Sequence, residues 1–136
     1  MIYLDTTALT KLVAADPQTP ALIEYLRTAA GGWFTCALTR LDLIRASAAI
    51  HPDAEARART VLASCDIVAV TDRLLDAAAI LRPSPSATVN ALHVAAAASA
   101  GARLHSLLTY DADLAADAGA HHITVRSPGG GPCSEP

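Results

Sequence analysis

The sequence predicts an α/β domain: a mostly parallel central sheet of about four to five strands, flanked by α-helices. Three observations carry that expectation. Short apolar runs such as IYL and IVAV have no polar alternation, as strands buried on both faces do. Stretches with helical spacing fall between successive runs, the order that makes neighbouring strands parallel. The chain has 136 residues, 52% of them hydrophobic, enough for one core and too short for a second folded domain.

The elements follow in chain order. Residues 2–5 (IYLD) read as a buried strand, and Thr6-Thr7 open a helix to about Val13, with Thr6 or Asp5 as N-cap. Asp16-Pro17 starts a second helix to about Thr28, which Gly31-Gly32 breaks. Trp33 to Cys36 is the next strand, followed by a helix from Leu38 to about Ile50. His51-Pro52-Asp53 interrupts, and a polar helix with Glu55, Arg57 and Arg59 runs to about Ala63. A strand is expected over 67–70, with Thr71-Asp72 capping a helix over 73–81. Residues 82–86 (RPSPS) read as a loop, and a helix over 87–100 stops at Gly101. His105 to Thr109 is a strand, Asp111 to Ala118 a helix ending at Gly119, and residues 123–125 a last strand. The domain is therefore expected over 1–126, with a flexible Pro/Gly-rich tail over 127–136.

Composition narrows the function classes. No window approaches 18 consecutive apolar residues, so no membrane span is expected, and the opening MIYLDTTALTKL lacks the basic and apolar regions of a secretory leader. Three cysteines (Cys36, Cys65, Cys133), odd in number and far apart, make neither a disulfide framework nor a zinc pattern, which points to a reducing cytoplasm. The net charge of −3 argues against broad non-specific nucleic-acid binding, although the nine arginines, set against the single Lys11, can still form a local patch. Alanine-rich helices approach one another closely, which suits a homodimer or a groove for a partner helix.

In open parallel sheets, function sits just beyond the carboxyl ends of the strands. Asp5 ends the first strand, and Asp111 follows the run Leu107-Leu108. Asp42 lies in the first half of the helix after Cys36, and Asn90 near the start of the helix after the proline-rich loop. All four can face one sheet edge. Gathered carboxylates repel unless a cation joins them, and oxygen-only ligands suit Mg²⁺ or Mn²⁺ over zinc. Such ions activate water and stabilise in-line displacement at phosphorus. Taken singly, each acid also has a structural reading: Asp5, Asp72 and Asp111 as helix caps, Asp42 as a complement to the helix dipole. His93, one turn after Asn90, reads as a packing residue or a substrate contact. His121 and His122 are adjacent and point to opposite faces, a poor metal pair. Cys36 reads as a small buried residue, Lys11 as surface, and Tyr25, Trp33 and Phe34 as packing residues.

Four segments in order and register resemble the PIN-domain family, and within it the VapC toxins of bacterial toxin–antitoxin modules. MIYLDTTALTKL is similar to the family's first strand with its first acid, which places Asp5. ALTRLDLIRA resembles the segment of the second acid, normally glutamate and here Asp42. TVNALHVAAAASAGA resembles the helix whose start normally carries aspartate, here Asn90. LLTYDADLAADAG resembles the last motif, with Thr109, Asp111 and an accessory Asp113. The resemblance implies a metal-dependent endoribonuclease in which Asp5, Asp42, Asn90, Asp111 and Asp113 surround Mg²⁺ or Mn²⁺. Thr6 and Thr109 would orient ligands or water. Arg40 and Arg45, which flank Asp42 on its helix, read as substrate-phosphate contacts or as solvated surface residues. The resemblance further implies structured RNA such as tRNA or rRNA as substrate and a VapB-type antitoxin that covers the site.

Two departures matter. Asp42 is one methylene shorter than glutamate, and Asn90 removes a negative charge. A second reading is therefore a binding-only PIN domain that contacts antitoxin without cleaving RNA. A phospho-acceptor receiver domain has similar length and architecture. It needs an aspartate pair after the first strand, where IYL is followed by Asp5 alone, and an aspartate ending the third strand, where Val70-Thr71 stands.

Overall fold

The structure is a computed structural model that describes residues 1–81 and 88–130. Five strands form one sheet: β1 (Ile2–Leu4), β2 (Trp33–Cys36), β3 (Asp66–Val68), β4 (Ser106–Leu108) and β5 (Val125–Arg126). Their order is β3-β2-β1-β4-β5, and every pairing is parallel. The helices are α1 (Thr6–Val13), α2 (Thr19–Arg27), α3 (Ala37–Ile50), α4 (Pro52–Ala63), α5 (Asp72–Ile80), α6 (Thr88–Ala98) and α7 (Ala112–Ala120), with a 3₁₀ turn at Gly101–Arg103. The expected α/β class with a parallel sheet is the observed one.

The period-two geometry of the strands divides the core. On β1, Ile2 and Leu4 face one side with Leu9, Leu22, Leu43, Ala54 and Ala58 from α1 to α4. Tyr3 faces the other, with Phe34, Leu92, Val94, Leu107 and Leu114, under α5 to α7. The apolar runs have no polar alternation because helices cover both faces. Alanine recurs at the buried positions of α4 and α6, so helix backbones lie close to their neighbours.

Several boundaries differ from the expected ones, each for a local reason. The second helix starts at Thr19 rather than at Pro17, because Asp16 first forms a turn. Its Oδ1 accepts the Gln18 N–H at 2.8 Å, and Thr19 Oγ1 accepts the Asp16 N–H at 2.9 Å. The third strand covers Asp66–Val68 rather than 67–70, since its partner β2 ends at Cys36 opposite Val68. It is an edge strand with Asp66 and Ile67 exposed. The last strand is Val125–Arg126 rather than 123–125, because the Ile123 N–H is spent on the Ala118 carbonyl, closing α7 with His122 at φ 61°. Lys11, expected at the surface, is largely covered instead; its Nζ pairs with Asp16 and sits 4.5 Å from the centroid of the Tyr110 ring.

The expected loop 82–86 and the end of the tail, 131–136 with Cys133, lie outside the described residues. Residues 127–130 run along the domain. Ser127 Oγ donates to the Thr109 carbonyl at 2.6 Å, and the Tyr110 hydroxyl donates to the Pro128 carbonyl at 2.8 Å. No helix among the described residues is long and apolar enough to cross a membrane.

Leu4 is fully buried, so Leu4→Ala is expected to lose about 2–5 kcal/mol in urea unfolding. Ile80 is 82% exposed. Ile80→Ala is expected to stay within about 0.5 kcal/mol, the scale of surface substitutions.

Candidate active site

Because β1 and β4 are parallel neighbours, the chain leaves both at the same sheet edge. Asp5 follows β1 and caps α1; Asp111 follows β4 by three residues and caps α7. Each capping carboxylate satisfies N–H groups of the first helical turn: Asp5 Oδ1 that of Ala8 at 2.9 Å, Asp111 Oδ1 those of Asp113 at 2.8 Å and Leu114 at 3.0 Å. Their surroundings differ. Asp111 is exposed, whereas Asp5 is only 3% exposed.

Two threonine hydroxyls hold Asp5 and join the strand ends. Thr109 Oγ1 donates to Asp5 Oδ2 at 2.6 Å and accepts the Asp111 N–H at 3.0 Å. Thr7 Oγ1 lies 2.7 Å from Asp5 Oδ1 and 2.9 Å from Oδ2, donating to the carboxylate, and accepts the Tyr110 N–H at 2.9 Å. A hydroxyl has one proton and two lone pairs. Both protons go to Asp5, so each oxygen is free to accept a backbone N–H from the β4–α7 turn. Burial pushes the Asp5 carboxyl above the usual range, opposed by the hydrogen bonds from Thr109, Ala8 and Thr7. Among the described residues no Lys or Arg pairs with Asp5.

The other expected residues are less closely gathered. Asp42 is half-buried on α3, which leaves β2 at the same edge, and it has no hydrogen bond or ion pair among the described residues. Asn90 is half-buried on α6, and its Nδ2 donates to Asp117 Oδ2 on α7 at 3.3 Å. Asp113 is exposed in the first turn of α7, and Arg40 and Arg45 are exposed on α3. Thr6, expected to orient a ligand, makes no hydrogen bond to the Asp5 carboxylate: its Oγ1 is buried without a hydrogen-bond partner among the described residues, and Thr7 holds the carboxylate instead. Sequence reading missed Thr7, for which the only signal was the Thr6-Thr7 doublet, and Asp117, which is four residues after Asp113 and so on the same face of α7. His93 is buried, with Nδ1 at 2.8 Å from the Tyr3 hydroxyl, which supports the packing reading.

No three His, Cys, Asp or Glu side chains among the described residues are close enough together to hold an ion as they stand. That arrangement does not suit a closed zinc or calcium cage. Mg²⁺ keeps several waters and uses one or two carboxylates with substrate phosphates, so it makes a smaller demand on protein ligands.

The raised carboxyl of Asp5 gives a pH signature in metal-free buffer. Its folded form holds the proton more tightly than the unfolded chain does. Its contribution therefore favours folding most below the ordinary carboxylate value, and falls as pH rises from there through the raised value. Denaturant midpoints measured against pH should show a downward component in wild type, relative to Asp5→Asn, across that window. Parallel profiles for the two proteins would show that Asp5 titrates as in the unfolded chain.

The PIN domain profile matches residues 2–119. Among curated proteins, "Ribonuclease VapC35" of Mycobacterium tuberculosis is 37% identical over 134 residues, covering 95% of this chain and 98% of that protein. "Ribonuclease VapC46" of the same species is 38% identical over 110 residues, covering 81% and 84%. Among solved structures, M. tuberculosis VapC20, described as a sarcin-ricin loop cleaving toxin, superposes with a TM-score of 0.68 at 18% identity, covering 85% of this chain and 94% of that one. A toxin–antitoxin complex from Klebsiella pneumoniae gives a TM-score of 0.70, also at 18% identity, covering 94% and 98%. At that identity the structural likeness is one of fold, but the profile match and the near-full-length relatives go further: the chain belongs to the PIN domain family.

Proposed function

We propose that this chain is a Mg²⁺- or Mn²⁺-dependent endoribonuclease, the toxin of a VapBC-type toxin–antitoxin pair. The observation that carries the reading is the edge where Asp5 and Asp111 end adjacent parallel strands and are coupled through the Thr109 hydroxyl. Relatives named ribonucleases over nearly the whole chain support it.

Asp5 is built to offer an oxygen. An ionised carboxylate has about four lone-pair sites. Hydrogen bonds from Thr7, Thr109 and the Ala8 N–H leave room for one further ligand. Asp111 spends Oδ1 on its cap and keeps Oδ2. Mg²⁺ or Mn²⁺ would be held by these two, with Asp42, Asn90 and the accessory Asp113 as further oxygen donors, and when bound would supply Lewis acidity and an activated water for in-line attack at phosphorus. Thr7 and Thr109 fix the Asp5 carboxylate before any ligand arrives, so orientation is paid in folding rather than at the reaction. Arg40 and Arg45, exposed on α3, meet backbone phosphates of a structured RNA such as tRNA or rRNA. A VapB-type antitoxin covers the edge, and the alanine-rich helices serve a homodimer; the protein acts in the cytoplasm, with its substrate. The toxin–antitoxin complex among the structural neighbours supports the antitoxin partner.

Purified protein should cleave total tRNA or rRNA only with Mg²⁺ or Mn²⁺ present. Asp5→Asn and Asp111→Asn should each lower the rate by about a hundredfold or more, the scale of losing one preorganised electrostatic contact. Equal cleavage in EDTA would contradict the metal-dependent mechanism. Asn90, neutral where the family normally carries aspartate, favours the second reading, a binding module. An intact protein that binds antitoxin yet cleaves nothing at any Mg²⁺ concentration would establish it.

A further inference from the structure

Asn90 and Asp117 come from different helices and meet where α6 lies against α7. An ionised carboxylate only accepts hydrogen bonds, so Asp117 can be satisfied by the Asn90 side chain in one orientation: Nδ2 toward α7. The contact, 3.3 Å from Nδ2 to Asp117 Oδ2, therefore decides where the other end of the amide points. Asn90 Oδ1 accepts no hydrogen bond among the described residues. A freely rotating asparagine would present a donor as often as an acceptor; a clamped one presents its carbonyl oxygen.

Position matters as much as polarity. The chain passes from the end of α6 through the 3₁₀ turn into the start of β4, so α6 runs in the opposite direction to the strand and begins toward the carboxyl edge of the sheet. Asn90 is the third residue of α6. One turn further on, His93 reaches the Tyr3 hydroxyl on β1, which ties this part of α6 to the strand that ends at Asp5. Asp117 lies within α7, the helix that Asp111 caps.

We propose that Asp117 is a positioning residue: by holding Asn90 through Nδ2, it turns the amide oxygen of Asn90 into the donor available to the carboxylate edge. The proposal rests on the nuclease reading, since the oxygen is useful only if that edge receives a cation. Asp117 acts through Asn90 and does not itself meet the ion. This function is one that an alanine at 117 would lose, and that an asparagine at 117, which can accept from Nδ2 but can also donate to Oδ1, would keep only in part.

The test is a double-mutant cycle read by Mn²⁺ binding, using isothermal titration of the full chain with the thermal midpoint measured beside it. Asp117→Ala should weaken Mn²⁺ binding by about tenfold, the lower end of the range for removing a residue that orients a ligand. Asp117→Asn should recover only part of that loss, because its amide also allows the flipped orientation of Asn90. In an Asn90→Ala background, Asp117→Ala should change Mn²⁺ affinity no further. Equal losses in both backgrounds would show that Asp117 acts on the ion directly and would overturn the proposal. So would unchanged affinity in Asp117→Ala, whether or not its thermal midpoint falls. A wild-type chain that binds no Mn²⁺ at all would overturn the metal-dependent reading, and this proposal with it.

Discussion

The organisation of the edge depends on one buried carboxylate. Asp5 is at once the N-cap of α1, the acceptor of two threonine protons and the terminus of the central strand. Through Thr7 and Thr109 it fixes the N–H groups of Tyr110 and Asp111, and with them the turn that launches α7. Removing the charge would change more than a ligand. It would alter a network in which one carboxylate accepts from both threonine hydroxyls.

The arrangement is unfavourable to folding in one respect. A carboxylate that is 3% exposed and faces hydroxyls and a backbone N–H, rather than a lysine or arginine, is held above its ordinary protonation range by burial. The nearest covered cation on the same helix, Lys11, is committed to Asp16 and to the Tyr110 ring. Tyr110 in turn anchors Pro128 through its hydroxyl. Among the described residues Asp5 thus has no lysine or arginine partner. Sites that bind cations are commonly arranged so, with strain in the free protein relieved by the ligand.

Much of this was legible in the sequence. The unalternated apolar runs gave the parallel sheet, and chain order placed Asp5 and Asp111 at its carboxyl edge, since any residue just after a parallel strand must emerge there. Element ends were less legible because pairing decides them. The third strand stops at Val68 because Cys36 is the last residue of its partner, a fact about β2 and not about IVAV. Of the two threonines expected beside the acids, Thr109 meets the Asp5 carboxylate, and Thr7 stands where Thr6 was expected. Whether Thr6 or Thr7 faces Asp5 depends on the rotation of the first turn of α1, to which neighbouring threonines give no clue. Asp117 escaped notice because its importance comes from the packing of α6 on α7, a tertiary contact between residues 27 positions apart.

The central claim is that the edge between β1 and β4 is completed by a divalent cation. The most direct measurement is a crystal grown with Mn²⁺ and examined by anomalous scattering. The account predicts one strong Mn²⁺ peak within coordination distance of carboxylate oxygens of both Asp5 and Asp111, with the Thr7 and Thr109 hydroxyls still on Asp5. A fully occupied Mn²⁺ bound elsewhere, with the Asp5–Asp111 edge holding only water, would contradict it.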